Sequence, residues 1–153
     1  MRLTICTGAR GYEMKVDKGI IKERFDTIER NINFLKEYKD IPKKEFINSY
    51  KDVQAAKFSL LEILEATFDI ANHIISVQGF SRAESYSQMF RILGEEKVIE
   101  INLANRLEDM ARFRNLLGHR YGEVDDERFL VIIKTRIEDI LEFEKQIHKY
   151  IEK

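Results

Sequence analysis

From Lys44 to Val77 apolar side chains recur at helical spacing with neither a proline nor a glycine to interrupt them, and this run constrains the fold more than any other feature. Val53, Ala56, Leu60, Ile63 and Ile70 mark one stripe, and Leu61, Leu64, Phe68, Ala71 and Ile75 mark a second beside it. Together they are wider than the face one neighbouring helix covers. The run therefore predicts a central helix, ending near Gly79, that is either wrapped by several others or shows part of its surface to a second copy of the chain. The same period continues elsewhere, and no segment alternates as a strand would. Ile21, Phe25, Ile28, Ile32 and Leu35 predict a first helix that starts after Asp17 and ends before Pro42. Ser81 and Glu84 have capping-box spacing and open a short third helix through Tyr86, Met89, Phe90 and Leu93 to Gly94. A fourth runs from about Glu96 to Leu117. The last, capped by Asp125 or Asp126, presents Phe129, Ile133, Ile137, Ile140, Ile147 and Ile151. The expected fold is an all-α, up-and-down bundle of about five helices with short connections.

A chain of 153 residues, 44% of them hydrophobic, suits one core better than two. The helical domain is expected over residues 15–153. Residues 1–14 carry Gly8 and Gly11 and show no helical period, so a short strand, a disordered tail and an upstream extension all fit that N-terminal segment. Charged residues make up 35% of the chain yet leave a formal net charge of -1, so any contact with nucleic acid must be local. Residues 106–120 do lean positive, with Arg106, Arg112, Arg114 and Arg120 against Glu108 and Asp109. Cys6 is the only cysteine, which rules out an internal disulfide framework or a cysteine zinc cluster and fits a reducing cytoplasm. No apolar run reaches transmembrane length, and no signal-peptide core opens the chain, so no membrane association is expected.

Helical patterning stops at Arg114-Asn115-Leu116-Leu117-Gly118-His119-Arg120-Tyr121. The helix before it carries a stripe of Ile99, Leu103, Leu107, Met110 and Leu117, and Arg114 falls on that stripe. A guanidinium cannot shed its proton, so it must snorkel to water or meet an anion, and its fork of donors suits a carboxylate or a phosphate. Gly118 is expected just past the helix end, where the chain turns and brings His119 near Arg114. Tyr121 adds a phenol able to donate a hydrogen bond, stack on a base or accept a transferred group. The spacing alone also fits an ordinary helix terminus, since basic residues in a last turn meet the negative end of the helix dipole.

The run Arg114-x4-His119-x-Tyr121, with Asn115 directly after the arginine, resembles the signature of the HEPN superfamily, specifically its HepT-like ribonuclease toxins. The resemblance extends from about Met14, which could itself be the natural start, to the C-terminus. It takes in Phe25 and Ile28, then Asn72-His73-Ile74-Ile75, Gly79-Phe80, and Tyr86, Phe90 and Leu93. It implies a homodimeric, metal-independent endoribonuclease, encoded beside a minimal nucleotidyltransferase antitoxin, with no cofactor. Arg114 and His119 would be catalytic; Asn115, Arg120 and Tyr121 would support them or position RNA; and Tyr121 would accept AMP from the antitoxin. HEPN domains also serve as non-catalytic helical modules, so docking a nucleotidyltransferase without cleaving RNA is the alternative. A third possibility is a plain bundle in which Arg114 pairs with a carboxylate.

The other histidines imply no metal. A di-iron bundle needs Glu-x-x-His pairs, yet Ile70, Leu116 and Lys145 stand three residues before His73, His119 and His148. His73 is expected as a hydrogen-bonded packing residue and His148 at the surface. The chain has no Gly-Ser followed by Asp-x-Asp, so the nucleotidyltransferase activity is not its own.

Overall fold

The computed structural model describes residues 15–118 and 125–152. Among them lie seven α-helices: α1 Lys18–Leu35, α2 Lys43–Ile47, α3 Tyr50–Gln78, α4 Tyr86–Glu95, α5 Ile101–Gly118, α6 Asp126–Thr135 and α7 Ile137–Ile151. One 3-10 turn, Lys36–Tyr38, extends α1, and no strand occurs among the described residues. Asp17 caps α1 by accepting from the backbone N–H groups of Gly19 and Ile20. Its own N–H donates to Nε2 of His73 at 2.9 Å, which makes His73 the hydrogen-bonded packing residue expected of it. At the far end the Tyr38 hydroxyl donates to Asp52, so α1 and α3 run antiparallel. Between these ends Ser59 donates to Oδ1 of Asn31 at 2.7 Å, satisfying two buried polar groups inside the contact. α7 lies antiparallel to α5, through Glu100 to Gln146 and Arg106 to Asp139, and antiparallel to α1, where the exposed His148 stacks on Phe25. The four long helices α1, α3, α5 and α7 thus alternate in direction.

Both stripes of α3 are covered within the one chain. Of the ten residues named for them, only Leu61 is not buried, because α1, α2, α4, α5 and α6 all pack on this helix. The breadth of the stripe is thereby accounted for without a second copy. What stays outside is Tyr50, 79% exposed, and Phe58, 62% exposed.

Local boundaries differ from the sequence expectation in instructive ways. The run from Lys44 is two helices, because Ser49 adopts an extended backbone and its hydroxyl caps α3 at the N–H of Asp52. Gly79, at φ 69, then ends α3 in the left-handed conformation that glycine tolerates best. Ser85, not Ser81, caps α4, accepting from the N–H of Gln88, while the Gln88 side chain accepts from the N–H of Glu84. Gly94 does not end that helix but lies inside it. A Cβ there would sit 2.8 Å from the Cβ of Ala104, so the glycine serves the close approach of α4 to α5. α5 starts at Ile101 rather than near Glu96, and Ile99 is buried in the preceding loop, where its N–H bonds the carbonyl of Leu93. The last helix is broken at Arg136, giving α6 and α7. These two breaks turn five expected helices into seven.

Fully buried Phe46, Phe90, Phe129 and Phe143 dominate the core. Phe129 lies between Phe46 and Phe113, so the start of α6 is tied to α2 and to the end of α5 by ring contacts. Burying one such side chain stabilises the fold by about 1.5–3 kcal/mol.

Glu144, on α7, is a carboxyl only 8% exposed, and its pKa is pushed up from an ordinary 4.5 to about 8, first by burial and then by the charge of Glu29. The folded chain therefore holds this proton more tightly than the unfolded chain. The stability that goes with it is complete below about pH 4.5 and is lost as the pH rises through about 8. Thermal midpoints are expected to fall across that window, and Glu144→Gln, which is neutral throughout, is expected to remove most of the slope. Melting curves with the same pH dependence in both proteins would contradict the assignment.

Candidate active site

α5 delivers the motif. Leu103, Leu107 and Met110 are buried on its inner face, and Phe113 is buried against Phe129. One turn on, Arg114 takes the next place on that stripe with its side chain 27% exposed. Asn115 is exposed, Leu116 is 41% exposed and Leu117 is half-buried. The helix includes Gly118, one residue further than expected. His119, Arg120 and Tyr121 lie outside the described residues, and the chain is next described at Asp125, whose carboxylate caps α6.

The anion that Arg114 meets is Glu65 of α3. Nε and Nη2 of the guanidinium both point to Oε1 of that carboxylate at 2.7 Å. The guanidinium carbon lies over the Tyr86 ring, 5.5 Å from its centroid. Tyr86 in turn stacks on the buried Phe68 at 4.2 Å, with the rings 7° apart. One edge of Arg114 is thus held by Glu65 of α3 and its cation lies over Tyr86 of α4, while Nη1 has no partner among the described residues. The carboxylate required by the plain-bundle alternative is therefore present, and it comes from a residue that the sequence did not single out. No local pattern marks Glu65, which stands 49 positions from Arg114.

The local positive lean of α5 is answered in the same manner. Arg106 pairs with Asp139 of α7 at 2.8 Å, so this carboxylate and Glu65, both left out by a count along α5, offset part of it, while Arg112 pairs with Asp109 of the same helix at 2.8 Å. An open groove beside the site, between α1 and α3, is lined by Arg24, Phe58, Leu61, Glu65 and Asp69 among others. Among the described residues no three His, Cys, Asp or Glu side chains gather as a metal site needs, and no helix is long and apolar enough to cross a membrane.

The sequence model of the family described as ribonuclease HepT-like matches residues 28–147, which takes in α3, α4, α5 and the whole motif. The chain belongs to that family. Membership makes this HepT-like protein an enzyme of the ribonuclease class. Among its curated relatives, the tRNA nuclease HepT of Aphanizomenon flos-aquae is 24% identical over 136 residues, covering 89% of this chain and 92% of the relative. The mRNA nuclease HepT of Shewanella oneidensis is 27% identical over 125 residues, covering 81% and 92%. A solved structure of the tri-AMPylated Shewanella oneidensis HEPN toxin in complex with MNT antitoxin superposes with a TM-score of 0.79 at 25% identity, covering 85% of this chain and 97% of that one. The HEPN fold and the all-helical architecture are common to both.

Proposed function

We propose that this HepT-like chain is the toxin of a toxin-antitoxin pair, a metal-independent endoribonuclease that acts as a homodimer in the cytoplasm and is neutralised by a nucleotidyltransferase partner. Cleavage proceeds by attack of the RNA 2′-hydroxyl on the adjacent phosphorus. A base takes the hydroxyl proton, an acid protonates the departing 5′-oxygen, and the products are a 2′,3′-cyclic phosphate and a 5′-hydroxyl. An imidazole can serve as base or as acid near neutral pH but not as both at once, so His119 of each subunit supplies one proton transfer. Arg114 gathers the charge that builds on the phosphoryl oxygens. Asn115 and Arg120 hold neighbouring phosphates, and Tyr121 positions RNA or His119. The single observation that carries the reading is the placement of Arg114, the motif's first residue, which sits on a buried stripe near the end of α5 yet keeps 27% of its side chain exposed. The nuclease relatives support RNA as the substrate class, and the neighbour bound to its antitoxin supports the partner.

The chemistry is tested by mapping RNA ends. Fragments with 2′,3′-cyclic phosphate and 5′-hydroxyl termini are expected, whereas 5′-phosphate termini would require an attacking water and overturn this route. For the assembly, Phe58 and Leu116 are apolar side chains left at the surface, and Phe58 lines the same groove as Glu65, the partner of Arg114. Sedimentation at micromolar concentration is expected to show twice the 18.2 kDa mass of the chain, and Phe58→Glu to shift it towards the monomer. An 18.2 kDa species alone in the unaltered protein would contradict the homodimer.

A further inference from the structure

We propose that Glu65 is a positioning residue of the ribonuclease site, setting the plane of Arg114 so that its outer edge meets the scissile phosphate. The inference rests on the functional reading above. A guanidinium has two usable edges, one formed by Nε and Nη2 and the other by Nη1 and Nη2. Glu65 occupies the first, with both nitrogens 2.7 Å from the same oxygen, and the guanidinium carbon lies 5.5 Å over the Tyr86 ring. Phe68, buried in the core, fixes Tyr86 in place through a nearly parallel stack. The long Arg114 side chain is thereby anchored along one edge by Glu65 and held over the Tyr86 ring. A phosphate approaching from solvent meets the remaining edge, where Nη1 is unpartnered among the described residues.

Stability is a poor explanation of this arrangement. The pair is partly exposed, 27% for Arg114 and 42% for Glu65, and ion pairs so placed contribute little to folding. What such a pair does well is remove rotamers. Free to swing, Arg114 would have to be ordered by the substrate at each turnover, and a misplacement of about 1 Å at a reacting group costs on the order of a hundredfold in rate. The carboxylate is also remote enough along the chain to tie α5 to α3, so that the motif's first residue takes its orientation from the most heavily packed helix of the fold.

The test compares Glu65→Ala and Glu65→Gln with the full-length parent, reading kcat, KM and thermal midpoint together. Glu65→Ala is expected to lower kcat by about tenfold to a hundredfold, leave KM within about twofold, and move the midpoint by no more than about 4 °C. Glu65→Gln retains an oxygen that can accept from Nε and is expected to recover part of the loss. Adding Glu65→Ala to Arg114→Ala is expected to cost nothing more, since the residue acts only through the arginine. A kcat in Glu65→Ala equal to the parent's would overturn the positioning role while leaving the ribonuclease reading standing. A large fall in midpoint with kcat unchanged in the folded fraction would assign Glu65 to the fold instead. No cleavage by the parent itself would overturn the ribonuclease reading and this role with it.

Discussion

Arg114→Lys is expected to lose RNA cleavage by on the order of a hundredfold or more while the protein stays folded. Lysine keeps the charge but not the planar fork. Its single ammonium cannot accept orientation from Glu65 along one edge and offer two parallel donors to phosphate along another. It also places its charge differently over the Tyr86 ring, where the guanidinium carbon lies 5.5 Å from the centroid. Because the pair is partly exposed, the change should barely move the thermal midpoint. Single-turnover cleavage, together with a melting curve, separates the outcomes. Cleavage comparable to that of the parent would assign Arg114 to holding α5 against α3, the plain-bundle alternative.

Covalent attachment of AMP to Tyr121 is expected to abolish cleavage altogether. If a partner nucleotidyltransferase moves AMP from ATP to the phenolic oxygen, pyrophosphate leaves and a phosphodiester remains two residues from His119. Its negative charge and its bulk would then lie where an RNA phosphate has to bind, so that repulsion and exclusion act together. Tyr121→Phe lacks the accepting oxygen and is expected to escape both modification and inhibition, although with some loss of activity of its own. Incubation with the cognate partner, ATP and Mg²⁺, followed by intact mass and peptide mapping, gives the answer. An unchanged mass, or AMP on a residue far from 114–121, would mean that the partner inhibits by docking alone.

Helix type and helix faces were legible in the chain because they are written locally. The spacing of Ile21, Phe25, Ile28, Ile32 and Leu35, with Asp17 ahead of them, specifies α1 without reference to anything distant, and all five are buried. The breaks were harder. At Ser49 and Arg136 the apolar period runs on across the interruption, so nothing in the pattern separates one bent helix from two. Ser81 and Ser85 each stand three residues before a Glu or Gln. The second is used because the helix it opens puts Tyr86 on Phe68 at once, a tertiary contact that local spacing does not contain. Gly94 was misjudged for a related reason, since a glycine needed for close packing looks the same in sequence as one that ends a helix. At the candidate site the motif is contiguous and could be read from the chain, down to the anomaly of an arginine on an apolar stripe. Glu65 could not, because what marks it is its distance to Arg114 in space.

The most direct measurement is cleavage of RNA by protein purified without its partner, in EDTA, beside His119→Ala prepared identically and shown to be folded. The unaltered protein should cut the RNA undiminished by the chelator, and His119→Ala should not cut it. Equal cleavage by the two would remove His119 from the chemistry, and no cleavage by the unaltered protein, in company with tight binding of a nucleotidyltransferase, would make the chain a docking module.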